Sequence, residues 1–151
     1  IGQGGNTFTP VQMARYVAGL ANGHTVYDLK VVSGIDDHKI TGDYTQTPEK
    51  VFNTLNFKES TLTNIYEGMH KVATGSAGTA RSYFKDFPIQ VAAKTGTAQE
   101  GKYENSWFVG FAPTDNPEMA VVVTLYDTDR LGSYGQEVAK DLISCYFKQK
   151  I

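Results

Sequence analysis

Apolar residues recur along this chain with two different periods, and the change of period divides it into elements. Val11, Ala14, Val17, Ala18 and Ala21 fall at helical spacing. They follow Thr9-Pro10-Val11-Gln12, in which Thr9 can cap, Pro10 suits the first helical position and Gln12 can return a bond to the cap's backbone. Asn22-Gly23 closes this helix. Val26 to Ser33 reads as extended, and Gly34 to Pro48 as a polar, turn-rich surface excursion. A second helix is predicted to open at Ser60, with Leu62, Ile65, Tyr66, Met69 and Val72 as its apolar stripe and Gly75 as its end. Gly75-Ser76-Ala77-Gly78-Thr79 is a loop. Strand-like runs follow at about 89–98, 106–113 and 119–126. The last segment is a helix that starts from a Ser133/Gln136 capping box. Val138, Leu142, Ile143 and Tyr146 or Phe147 line its face, and Lys148 and Lys150 lie where the helix dipole favours cations. Short-linked strands followed by one amphipathic helix imply an α+β unit, an antiparallel sheet with helices packed on it.

The 151 residues are enough for one domain with a real core. With 40% hydrophobic and 20% charged residues the chain reads as globular rather than disordered. A net charge of −2 gives no electrostatic case for a nucleic-acid partner. The single cysteine, Cys145, excludes an internal disulfide and is expected to be a buried or half-buried helix residue. His24, His38 and His70 have no spacing partners, so no metal site is expected. No apolar run approaches the ~20 residues of a membrane span. The chain begins at Ile1 without a signal peptide or initiator Met, and is read as a piece of a longer protein.

The candidate chemistry lies in Lys94-Thr95-Gly96-Thr97-Ala98-Gln99, at the end of the apolar run Ile89-Gln90-Val91-Ala92-Ala93. A lysine, two hydroxyls and a position without a side chain on a strand edge can read an anion and an extended backbone together. A phosphate loop of the G-x-x-x-x-G-K-T kind is excluded, because Pro88 and Ala93 stand where its glycines would be. Ser82-Tyr83-Phe84-Lys85 matches S-x-x-K by letters, but Asp86 and Pro88 leave no room for a long helix, so a solvated short turn is expected. Tyr103-Glu104-Asn105 imitates Y-x-N and is placed in the hairpin loop after Gln99. Trp107, Phe108 and Phe111 read as sheet core.

K-T-G is one of three signatures of penicillin-binding proteins and class A β-lactamases. Its company here is specific: Ile1-Gly2-Gln3-Gly4, Thr9-Pro10-Val11-Gln12-Met13-Ala14, Leu20-Ala21-Asn22-Gly23, Gly68-Met69, Gly78-Thr79-Ala80 and Trp107-Phe108-Val109-Gly110-Phe111-Ala112-Pro113. In this order and spacing the chain resembles the C-terminal part of the transpeptidase domain of class B penicillin-binding proteins, nearest the elongation type. The resemblance covers almost all of the chain and is least telling over Asp28 to Asn56.

The resemblance implies that residues 1–151 form the C-terminal portion of one transpeptidase domain, carrying three strands of a five-stranded sheet. The S-x-x-K and S-x-N motifs, and so the nucleophile, would lie upstream of Ile1. It implies a serine D,D-transpeptidase that cross-links peptidoglycan stem peptides ending in D-Ala-D-Ala, binds β-lactams as mimics of that end, and needs no cofactor. Lys94 would supply positive charge beside the S-x-N serine. The backbone N–H of Thr97 would form half of an oxyanion hole. Thr95, Gly96, Thr97 and Gln99 would bind substrate. The parent would be anchored in the bacterial membrane by an N-terminal segment, with its domain on the extracytoplasmic face. Two alternatives remain at this level: a β-lactamase or β-lactam sensor of the same superfamily, and a non-catalytic interaction domain that kept the fold. Strict alternation places Lys94 and Gly96 on one face of the strand and Thr95 and Thr97 on the other. The continuous apolar run Ala120-Val121-Val122-Val123 suggests a strand buried on both faces. Without its outer neighbour its edge is expected to recruit a second chain, to be capped by the Val26 to Ser33 segment, or to be matched by upstream residues.

Overall fold

Thr9 starts the first helix as its sequence requires. In the computed structural model, which describes residues 4–36, 43–128 and 134–148, helix α1 spans Pro10–Ala21 and opens with a complete capping box. The Gln12 N–H donates to Thr9 Oγ1 at 3.3 Å, and the Thr9 N–H donates to Gln12 Oε1 at 2.8 Å. Asn22 ends it: its Oδ1 accepts from the N–H groups of His24 and Thr25, and Gly23 takes the left-handed conformation at φ 88°. The buried face differs from the predicted stripe. Val11 is exposed, whereas Val17, Leu20 and Ala21 are buried. The buried positions of α1 lie in its C-terminal half, which approaches β1 closely: a Cβ on Gly19 would lie 2.8 Å from Val26 Cγ2.

Strand β1 (Thr25–Tyr27) is shorter than the extended run expected from Val26 to Ser33. It pairs antiparallel with β4 (Val51–Thr54). Between them β2 (Gly34–Asp36) and β3 (Tyr44–Gln46) form a small antiparallel ribbon, so the turn-rich excursion carries paired strands. The lone histidine His38 lies outside the described residues.

Helix α2 (Glu59–Thr74) begins a residue earlier than Ser60, with Lys58 at the cap position making no side-chain bond, and ends at Gly75 as predicted. The Tyr66 hydroxyl donates to the carbonyls of Leu20 and Ala21 at 2.5 and 3.0 Å, tying α2 to the last turn of α1. Burial pushes the Tyr66 phenol pKa up, which keeps it a donor. Its ring meets Phe111 edge-on at 5.1 Å. The single-turn helix α3 (Arg81–Phe84) follows the Gly75–Thr79 loop.

The main sheet is antiparallel, in the order β5 (Ala92–Glu100), β6 (Tyr103–Ala112) and β7 (Met119–Thr128). The first hairpin is tighter than predicted. Gly101, at φ 61°, and Lys102 alone connect β5 to β6, and Glu100 lies opposite Tyr103. Tyr103-Glu104-Asn105 is therefore strand and not loop, a correction that follows from the conformational freedom of Gly101. One face of the sheet packs Ala92 and Phe111 against Val17 and Ala21 of α1. The other packs Ala93, Phe108, Val121 and Val123 against Phe84, Ala139 and Ile143.

Helix α4 (Tyr134–Lys148) supplies Ala139 and Ile143. Its packed face meets the predicted one at Ile143 and Phe147 and departs from it elsewhere. Val138 and Leu142 are exposed, at 40% and 45%, while Gly135, Gln136, Ala139 and Ile143 are buried. Small residues decide this: a Cβ on Gly135 would stand 3.4 Å from Ser106 Oγ, so the Gly135–Ala139 stripe gives the closest approach to β6. Cys145 is exposed, contrary to expectation, because it lies away from that stripe. The predicted cap Ser133 and Lys150 fall outside the described residues. Among the described residues no strand pairs with the outer edge of β7, and β1 pairs with β4 rather than capping it. Val121 and Val123 are nonetheless buried, through the faces of the sheet.

Candidate active site

Residues 94–99 lie on β5, an outermost strand whose other edge has no strand partner among the described residues. Alternation along it holds. Lys94, Gly96 and Ala98 stand opposite Val109, Trp107 and Asn105 in register, and Thr95 and Thr97 stand opposite Phe108 and Ser106. Gln99 lies opposite Glu104, near the hairpin end.

Lys94, Thr95 and Gly96 are brought together on the wall of a cavity of about 440 Å³, with Phe8, Met13 and Trp107. Thr97 and Gln99 are exposed and do not line it. Trp107 is half-buried and lines this cavity, while Phe108 and Phe111 are fully buried as the sheet core. At Gly96 an added Cβ would meet only Trp107 Cβ, at 3.4 Å. The strand is thus bare at this point, open to close approach by another backbone.

Lys94 is exposed, and its ammonium donates to the Thr95 carbonyl. Among the described residues no carboxylate pairs with it. A second hollow, on the other side of the Lys94–Thr95 ridge, is floored by Gly75, Gly78 and Thr79. Among the described residues Lys94 therefore stands as a positive charge without a carboxylate partner between two hollows, with Glu100 farther along the wall of the first and Lys71 on the wall of the second. That arrangement can hold an anion at the end of an extended ligand.

Sequence reasoning missed Thr79 as a site residue. Its Oγ1 lies 2.7 Å from Thr95 Oγ1. The two threonines are 16 residues apart and on different elements, so no spacing rule joins them. The signals were the glycines around Thr79 and the place of Gly78-Thr79-Ala80 in the motif order, neither of which gave it a role. Gly75 and Gly78 sit where a Cβ would strike the carbonyls of Lys71 and Val72, at 2.7 Å for Gly75 and 2.4 Å for Gly78.

The S-x-x-K look-alike is set apart from this edge. Ser82 is exposed on the one-turn α3, and Lys85 Nζ pairs with Asp86 at 3.4 Å.

A family model described as the penicillin binding protein transpeptidase domain matches residues 1–144. The chain belongs to that family, as the motif order implied. It is 33% identical over 155 residues to penicillin-binding protein 2B of Streptococcus pneumoniae serotype 2, which covers 95% of this chain and 23% of that protein. It is 28% identical over 167 residues to the peptidoglycan D,D-transpeptidase MrdA of Haemophilus influenzae, covering all of this chain and 25% of that protein. The solved structure of penicillin-binding protein 2B from Streptococcus pneumoniae strain R6 is similar with a TM-score of 0.81 and 30% identity, over 94% of this chain and 25% of that one. The chain spans about a quarter of the length of these relatives.

Proposed function

We propose that residues 1–151 are the C-terminal portion of a class B transpeptidase domain and form the substrate-carboxylate wall of a peptidoglycan D,D-transpeptidase. The observation that carries this reading is the β5 edge itself: Lys94 without a carboxylate partner among the described residues, beside Gly96, which bears no side chain and where an added Cβ would meet only Trp107 Cβ. A D-Ala-D-Ala end is extended and terminates in a carboxylate. It adds along a bare strand edge through main-chain bonds, and its charge settles near Lys94. The hydroxyls of Thr95 and Thr97 donate to that carboxylate, and Gln99 continues the wall.

The nucleophile is a serine supplied by the rest of the domain. Its oxygen attacks the carbonyl carbon of the penultimate D-Ala. An ester bond forms, the amide C–N bond breaks, and D-alanine leaves with the proton the serine gave up. An acceptor amine then takes the acyl group and releases the serine. A β-lactam opens by the same attack, but its leaving amine stays tethered. During attack the carbonyl oxygen becomes negative, and the backbone N–H of Thr97 donates to it. The Thr95 carbonyl takes the Lys94 ammonium, consistent with its facing away from β6. With the two-residue period of a strand, the N–H of Thr97 then lies on the same open side. One oxyanion-hole donor is worth about 10²–10³ in rate.

Among the described residues no helix is long and apolar enough to cross a membrane. The parent is anchored by a segment outside this chain and works on the extracytoplasmic face. It needs no cofactor.

The test is Thr97→Val in the complete protein. Valine keeps the shape and the backbone N–H and removes only the hydroxyl. The second-order rate of acylation by benzylpenicillin is expected to fall about 10–100-fold, as for losing one hydrogen bond to a charged group. Thermal melts should be unchanged, because Thr97 is exposed. An unchanged rate would separate Thr97 from the carboxylate.

A further inference from the structure

We infer that Thr79 is a positioning residue for this carboxylate site: its hydroxyl donates to Thr95 Oγ1 and so leaves the single Thr95 proton for the substrate. The inference rests on the reading of the β5 edge given above and extends it to a residue on another element.

A threonine hydroxyl has one proton and two acceptor lone pairs. Across the 2.7 Å Thr79–Thr95 contact only one of the two protons can be used. If Thr95 donates to Thr79, Thr95 presents lone pairs to any incoming anion, and the contact is repulsive. If Thr79 donates, the Thr95 proton is available to the carboxylate. A bound anion therefore selects one direction, Thr79 to Thr95 to carboxylate, and each bond in such a chain polarises the next. A hydroxyl in the position of Thr79 gives Thr95 a donor in this state. An apolar side chain there would leave Thr95 to choose its own rotamer.

Thr79 is held in place on both sides. The Gly78 N–H donates to the Gly75 carbonyl at 2.8 Å, and the Ala80 N–H donates to the Val72 carbonyl at 3.0 Å. Ala80 is fully buried. Gly78 is seated so tightly on the last turn of α2 that a Cβ would lie 2.4 Å from the Val72 carbonyl. An exposed polar residue thus stands between two fixed neighbours, with its hydroxyl aimed at a strand-edge hydroxyl. The loop is anchored through its backbone and Ala80, so the hydroxyl contact is not needed to hold it. Its consequence is the orientation of Thr95.

The experiment uses the complete protein with Thr79→Val, Thr79→Ser, Thr95→Val and the Thr79→Val/Thr95→Val double variant. Acylation rates are measured for benzylpenicillin and for its methyl ester, which lacks the anionic carboxylate. With benzylpenicillin, Thr79→Val is expected to slow acylation about 3–10-fold, the size of one ordinary hydrogen bond. Thr79→Ser should restore most of the rate. The effect should vanish in the Thr95→Val background, and it should be confined to the carboxylate-bearing drug. Equal losses for acid and ester, an equal loss in the Thr95→Val background, or no loss at all would overturn the inference. If Thr95→Val alone leaves the rate unchanged, the carboxylate-wall reading itself fails. A Thr95→Val loss without a Thr79→Val loss overturns only the role of Thr79. Thr79→Ala carries the same expectations as Thr79→Val should valine disturb the loop.

Discussion

Lys94→Met in the complete protein is expected to slow acylation by benzylpenicillin by about 10²–10³-fold, the range seen when a preorganised electrostatic donor is removed from an acyl-transfer site. Methionine keeps the length and much of the apolar stem of lysine and removes the charge together with its N–H donors. Lys94 is exposed, and among the described residues its ammonium has no carboxylate partner, so the folded state does not depend on an ion pair there. Among the described residues its ammonium donates to the neighbouring Thr95 carbonyl, an acceptor that water can satisfy once the ammonium is gone. The change should therefore appear in the rate and leave the melting temperature alone. Stopped-flow acylation at matched folded fractions reads it. A loss below about twofold would place Lys94 outside the chemistry, since that is within the range of an exposed charge pair.

The isolated 151-residue chain is expected to form no covalent adduct with a labelled penicillin. Removing a covalent nucleophile leaves only binding and oxyanion contributions. The one sequence that imitates the nucleophile motif is poorly placed for the task. Ser82 is on a four-residue helix, exposed, with Lys85 engaged by Asp86 at 3.4 Å. Intact mass after incubation decides it, and a stoichiometric adduct on Ser82 would relocate the site. The same sample is expected to elute larger than a monomer. Strand β7 has no strand partner on its outer edge among the described residues, and Val121 to Val123 make that edge apolar and β-prone. A monomer at high concentration would contradict the self-association.

The elements set by local chemistry were legible in the sequence. Thr9 and Gln12 fix the start of α1, Asn22 and Gly23 its end, and Gly75 the end of α2. The three-strand sheet followed by a helix was readable from the change of period. Pairings between distant segments were not. Nothing local joins Thr25–Tyr27 to Val51–Thr54: β1 packs against α1, where Gly19 meets Val26, while β4 is exposed along its length and pairs with β1 from a distant part of the chain. Hydrophobicity misjudged α4 for a physical reason. It places Ile143 and Phe147 correctly against the sheet but adds Val138 and Leu142, which are exposed, because the sheet accepts the smallest residues, Gly135 and Ala139, beside Ile143. The same division runs through the candidate site. Lys94 to Gln99 were visible as a motif, and their position on an outermost strand followed. Thr79 was hidden, since its hydroxyl meets Thr95 only through the backbone course of the Gly75–Ala80 loop.

The most direct measurement is a crystal structure of the complete protein acylated by benzylpenicillin. The account predicts the drug's carboxylate at about 2.5–3.0 Å from the hydroxyls of both Thr95 and Thr97, with Thr79 Oγ1 still bonded to Thr95 Oγ1. A carboxylate held by other residues, with both hydroxyls beyond about 4 Å, would contradict it.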